Sequence, residues 1–160
     1  MKSADTIPTP DQRRHIVCDM ELCAGCQLCE FACVAGKTGA FDLELSRIRL
    51  ARPEATLMAS IACQLCSDAP CQAVCPREAL SNSPDSGAIV VENVKCIGCG
   101  WCVEACDHGA IALDPRTKMA VVCDLCIDLS EPRCVTFCPK GALRLDSANA
   151  TPLLAGEHEH

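Results

Sequence analysis

Seventeen cysteines in a chain of 160 residues are the side chains whose type and spacing point to chemistry. Sixteen of them fall into four groups of four. Group one is Cys23-x2-Cys26-x2-Cys29-x3-Cys33, and group three repeats it as Cys96-x2-Cys99-x2-Cys102-x3-Cys106. Group two is Cys63-x2-Cys66-x4-Cys71-x3-Cys75, followed by Pro76. Group four is Cys123-x2-Cys126-x7-Cys134-x3-Cys138, followed by Pro139. A cubane [4Fe–4S] cluster needs four thiolates converging on one small body. Closely spaced cysteines curl a short loop round three corners and turn backbone N–H groups toward the sulfurs, leaving the fourth corner to a remote cysteine. In the bacterial run C-x2-C-x2-C-x3-C-P that fourth cysteine serves the other cluster of a pair. Groups two and four lengthen one spacer but keep the final Cys-x3-Cys-Pro, so their first three cysteines still make a half-cage. The pattern predicts four [4Fe–4S] clusters and roughly sixteen irons per chain.

Zinc is the competing reading, since four-cysteine zinc sites also use Cys-x2-Cys hooks, but they have no use for a third cysteine three residues on. The histidines, His15, His108, His158 and His160, lie outside the repeating pattern. A disulfide network is weaker still, because Cys-x2-Cys bridges are redox-labile and residues 1–14 contain no apolar leader of the kind secretion requires. Cys18 is the cysteine left over; it reads as a small buried hydrophobe on a strand, ahead of a spare ligand or a reactive thiol. No run approaches the ~18 apolar residues of a membrane span. With 14 Lys and Arg against 21 Asp and Glu, the net charge of −7 argues against nucleic acid, because there is little to neutralise phosphates. A solvated acidic surface in a thiol-reducing compartment fits, and the expected location is the cytoplasm.

These thiols must be positioned by short elements. Cys-Pro-x-x-Ala-Leu occurs at 75–80 and at 138–143, with a near copy at 106–111. Apolar stretches at 88–91 and 119–122 predict strands leading into groups three and four, and His15-Ile16-Val17-Cys18 predicts one before group one. Gln72-Ala73-Val74 and Val103-Glu104-Ala105 suit single helical turns. Residues 43–50 alternate with one slip at Arg47, which predicts an exposed or partner-facing strand, bulged at the slip. The fold class expected is α+β, built of short strands, short helices and cluster-binding loops. The ends, 1–14 and 147–160, read as an arm and a flexible tail.

Taken with their flanks, the cysteine groups resemble the four-cluster iron–sulfur electron-transfer subunits of the DMSO reductase, formate dehydrogenase and polysulfide reductase type. The resemblance covers about residues 16–145 and rests on Asp19 before Cys23-Ala24-Gly25-Cys26, Leu45-Ser46-Arg47-Ile48-Arg49, Cys66-Ser67-Asp68-Ala69-Pro70-Cys71 and Cys123-Asp124-Leu125-Cys126. It implies two bacterial-ferredoxin-like modules, an outer one of 15–62 with 118–146, closed by both chain ends, and an inner one of 63–117. It implies these ligand sets: Cys23, Cys26 and Cys29 completed by Cys138; Cys123, Cys126 and Cys134 by Cys33; Cys63, Cys66 and Cys71 by Cys106; Cys96, Cys99 and Cys102 by Cys75. Two positions depart from the family pattern: Val34 and Asp107 stand where proline often follows the fourth cysteine. In size the chain is similar to the compact subunits that accompany tungsten aldehyde oxidoreductases.

The function implied is a non-catalytic relay of single electrons. Its partners would be a large tungsten or molybdenum pterin subunit and a ferredoxin, flavin or quinone-linked carrier. The alternative is a maturation or accessory factor for a metalloenzyme such as hydrogenase or formate dehydrogenase. Head-to-tail self-association is a further expectation, against a holo charge near −15 (about) once thiolates and oxidised cores are counted. Arg77, Lys95, Arg133 and Lys140 adjoin cluster cysteines and read as solvated counter-charges, with potential tuning or partner steering as the functional option. Trp101 reads as a packing cover over a cluster.

Overall fold

The computed structural model of the protein describes residues 13–147. The expected N-terminal arm and C-terminal tail lie almost wholly outside these residues.

Short apolar runs bounded by cysteine loops form short strands, and the described strands pair into four antiparallel ribbons. Strand β1 (Arg14–Cys18) pairs with β8 (Leu143–Ser147), β2 (Arg49–Glu54) with β3 (Leu57–Ile61), β4 (Leu80–Asn82) with β5 (Ile89–Val91), and β6 (Ile111–Leu113) with β7 (Ala120–Val122). The strand that leaves each cysteine group pairs with the strand that enters the next, and β8 returns to β1 with Ile16 opposite Leu145 and Cys18 opposite Leu143. The chain thus closes on itself at the first ribbon, bringing groups one and four together from opposite ends of the sequence.

Helix α1 (Leu28–Thr38) is the long one; α2 (Pro70–Ala73), α3 (Trp101–Glu104) and α4 (Arg133–Thr136) are single turns. The difference has a local cause. After Cys75 and Cys138 a proline cannot continue a helix, whereas Val34 follows Cys33 inside α1, which runs on until Gly39 takes a left-handed φ of 67° as its C-cap. Asp107 has no such effect, because Gly109 turns the chain at φ 62° two residues later. Helix α1 packs on α4 closely enough that a Cβ on Gly36 would sit 3.0 Å from Cγ of Arg133.

The strand expected over 43–50 does not form. Asp42 caps a 3-10 turn at Leu43–Leu45, its Oδ1 accepting from Glu44 N–H at 3.1 Å, and Ser46 Oγ donates to the Ile48 carbonyl at 2.6 Å. These side chains offer the backbone a local alternative to a ladder. The strand starts at Arg49, and its irregularity falls between Ala51 and Glu54, around Pro53, instead of at Arg47.

The core lies between the ribbons. Its largest fully buried side chains are Ile16, Ile48, Leu65, Ile89 and Val34, and cysteines fill much of the remainder.

Candidate metal centres

The cysteine loops are built on left-handed backbone. The residue before the second cysteine of each group has positive φ: Gly25 (65°), Leu65 (51°), Gly98 (69°) and Leu125 (57°). This reverses the chain within Cys-x2-Cys and brings two thiols to one side. Glycine is required outright at 98, where a Cβ would lie 2.5 Å from the Lys118 carbonyl oxygen. A second left-handed residue sits three places after the last cysteine of groups two, three and four: Glu78 (49°), Gly109 (62°) and Gly141 (61°). In the first two, that turn aims the next N–H at the cysteine sulfur, Ala79 to Cys75 at 3.3 Å and Ala110 to Cys106 at 3.4 Å. Cys33, on the continuous helix, receives the distant N–H of Arg47 at 3.4 Å instead.

The groups interleave. Cys23, Cys26 and Cys29 line one cavity with Cys138. Cys96, Cys99 and Cys102 line another with Cys75. Cys63, Cys66 and Cys71 line a third, wider one with Cys106. Cys33, Cys123, Cys126 and Cys134 are all buried, and Cys134 feels Cys123, Cys33 and Cys126 as its nearest like-charge neighbours. The quartets also sense one another's charge in a fixed order. Cys134 of the Cys33 quartet interacts with Cys29, Cys123 of the same quartet with Cys63, and Cys71 with Cys102. The row therefore runs Cys23 quartet, Cys33 quartet, Cys63 quartet, Cys75 quartet. Cys26 and Cys99, the exposed thiols, belong to the two ends.

Burial pushes the thiols up, to about 12 at Cys63 and Cys123 and about 11 at Cys71, against backbone N–H donors that pull them down. Cys134 shifts the same way for the same reason. Desolvated thiolates gathered in fours need a positive body among them. Among the described residues no three His, Cys, Asp or Glu side chains converge tightly enough to grip one ion. Thiols standing round a cavity, with N–H groups aimed at sulfur, fit a polynuclear iron–sulfur body.

Other side chains fall into place around the quartets. Lys37, 5% exposed, bridges Asp124 at 3.0 Å and Asp128, while Arg47 also pairs with Asp124, tying the end of α1 to group four. Burial opposes the Lys37 charge, but the two carboxylates outweigh it and hold its pKa up. Sequence spacing gave no sign of this clamp; the signal was limited to Asp124 lying inside a cysteine loop. Arg77 and Lys140 line the walls of the Cys75 and Cys23 cavities. Arg133 stacks over Phe137 at 5.9 Å, and Lys95 pairs with Glu92 at 2.7 Å. Trp101 is not the cover expected of it: it stands 57% exposed, and Leu80, Ile97 and Leu113 wall the adjacent cavity. Cys18 is half-buried against the core as expected, but its sulfur also accepts Ser60 N–H at 3.3 Å and lies near Cys23.

Interleaved cysteine loops of this kind define an iron–sulfur protein of ferredoxin-like build. The model of the 4Fe-4S dicluster domain family matches residues 55–148. The chain belongs to the 4Fe-4S dicluster domain family. It is 38% identical over 145 residues to the polyferredoxin-like subunit of aliphatic sulfonate oxidoreductase from Pyrococcus furiosus, covering 89% of this chain and 83% of that one. It is 33% identical over 138 residues to the thiosulfate reductase electron transfer subunit PhsB of Salmonella typhi, covering 79% and 71% respectively. The active site complex BamBC of benzoyl coenzyme A reductase contains a chain that aligns with TM-score 0.49 at 22% identity, over 82% of this chain and 78% of its own. Among the described residues no helix is long and apolar enough to cross a membrane.

Proposed function

We propose that the protein is an electron-relay subunit holding four [4Fe–4S] clusters in a row. The observation that carries this reading is the interleaving of the quartets, each completed by a cysteine from another group, in an order that leaves one exposed thiol at either end. Cys23, Cys26, Cys29 and Cys138 would hold the first cluster, and Cys33, Cys123, Cys126 and Cys134 the second. Cys63, Cys66, Cys71 and Cys106 would hold the third, and Cys75, Cys96, Cys99 and Cys102 the fourth. On this reading residues 63–117 make an inner module and both chain ends close an outer one.

Bound [4Fe–4S] clusters supply one-electron redox capacity. The chain's own residues hold them, keep water from the second by burying all four of its thiols, and set potentials through N–H donors and nearby charge. One end would meet a catalytic oxidoreductase subunit, of the tungsten or molybdenum pterin kind, aldehyde oxidoreductase-like; the other a ferredoxin, flavin or quinone-linked carrier, in the cytoplasm. The relatives named as polyferredoxin-like and electron transfer subunits support that role.

Anaerobic purification tests the cluster count: roughly sixteen irons per chain are expected, and a colourless protein carrying zinc would overturn it. Cys138→Ala tests the pairing. It should remove the cluster of Cys23, Cys26 and Cys29 and spare that of its sequence neighbours Cys123, Cys126 and Cys134, read as loss of one set of signals in the reduced-state EPR spectrum. A native mass with one copy per catalytic subunit would exclude head-to-tail association, and clusters that leave during turnover would mark a carrier instead of a relay.

A further inference from the structure

Among the described residues, Ser60 is the one whose side-chain hydroxyl meets a cysteine sulfur. It lies on β3, 5% exposed, with its hydroxyl oxygen 3.3 Å from Sγ of Cys29. Its backbone N–H donates to Sγ of Cys18 at 3.3 Å. The Cys18 thiol is in turn a neighbour of Cys23. Two thiols of the Cys23 quartet thus have a side-chain O–H or S–H group beside them, joined through Ser60. The sulfur hydrogen bonds at Cys33, Cys75, Cys96 and Cys106 come from backbone N–H groups, those of Arg47, Ala79, Ala120 and Ala110.

Between a free thiol and a hydroxyl either atom can donate. A ligating cysteine is a thiolate and has no proton, so the Ser60 O–H must be the donor to Cys29. The lone pairs of Cys18 are engaged by Ser60 N–H, which leaves its S–H for the Cys23 sulfur. Hydrogen bonds to a ligating sulfur stabilise the more negative, reduced state and raise the reduction potential. A donor facing an anionic acceptor is also stronger than one between neutral groups.

We infer that Ser60, with Cys18 beside it, is a positioning pair that sets the potential of the terminal cluster held by Cys23, Cys26, Cys29 and Cys138. The pair draws the electron toward the end of the row that exposes Cys26. The inference rests on the four-cluster reading above.

The test is an anaerobic redox titration of the holoprotein followed by EPR, for the wild type, Ser60→Ala, Ser60→Thr and Cys18→Ala. With iron content unchanged, Ser60→Ala should lower one midpoint potential and leave the others in place, and Ser60→Thr should restore it. Cys18→Ala should lower the same midpoint by less, because a thiol is the weaker donor. An unchanged set of midpoints in Ser60→Ala overturns the inference. A second measurement needs no variant: after brief exchange into D2O, which replaces a hydroxyl proton ahead of hydrogen-bonded amide protons such as that of Glu30, pulsed EPR of the wild type should show a deuteron hyperfine coupling near the iron ligated by Cys29, and its absence overturns the inference even if Ser60→Ala loses iron. Failure of the four-cluster reading would appear separately, as wild-type iron far below about sixteen per chain.

Discussion

A left-handed residue three places after the closing cysteine is common to groups two, three and four, yet group two uses Glu78 where the others use glycine. An L-residue pays roughly 1–2 kcal/mol for that backbone region, partly offset by the greater chain freedom glycine loses on folding. Glu78→Gly should therefore stabilise the holoprotein by about 0.5–1 kcal/mol, seen as a higher denaturant midpoint for cluster loss under anaerobic conditions. Gly98 is the opposite case. Its φ of 69° and a carbonyl 2.5 Å from the Cβ site leave no room for alanine. Gly98→Ala should displace the β6–β7 turn and cost the Cys75 quartet its cluster, leaving about twelve irons. Gly141→Ala meets nothing within 4 Å and should cost only the backbone term, about 1 kcal/mol, with the iron count intact.

At the scale of elements, the two positions lacking the expected proline behave differently because only one lies inside a helix. Val34 is fully buried within α1, three residues after Phe31. A proline there would remove an internal hydrogen bond and clash with the preceding turn, costing about 3 kcal/mol or more. Asp107 is exposed and follows the last turn after α3, as Pro76 and Pro139 follow theirs after α2 and α4. Asp107→Pro should be tolerated or mildly stabilising, by about 0.4–1 kcal/mol through the unfolded chain. Thermal loss of the visible cluster absorption in the two variants checks the pair: an early loss for Val34→Pro and none for Asp107→Pro.

For the whole molecule, the question is what holds it together. All four aromatics, Phe31, Phe41, Trp101 and Phe137, are more than a third exposed. The buried apolar side chains are few and aliphatic, and cysteines occupy much of the core. With so little else to bury, the energy of binding metal becomes the energy of folding. Chelation of iron under reducing conditions should therefore leave a chain without a cooperative thermal transition, followed by circular dichroism, and reloading with iron and sulfide should restore it. A cooperative, native-like melt of the iron-free protein would show that the ribbons stand without their clusters.

Local rules made much of this protein legible before any coordinates. The cysteine spacings and the apolar runs of β1, β5 and β7 are consequences of steric and hydrophobic constraints acting within a few residues. They identify the cluster-binding loops and the strands that flank groups one, three and four. The structure decided the rest, through competing local hydrogen bonds and through partners distant in sequence. The segment 43–50 has the alternation of a strand, but Asp42 and Ser46 hydrogen-bond it into a turn, and the β2–β3 hairpin forms beyond it. Leu65 and Leu125 carry no glycine signature for their left-handed backbone. The Lys37, Arg47 and Asp124 clamp, the order of the quartets and the tie from Ser60 to Cys29 and Cys18 all join residues separated by long stretches of chain. No periodicity encodes them; they exist because β8 returns to β1 and brings the two ends of the sequence around one core.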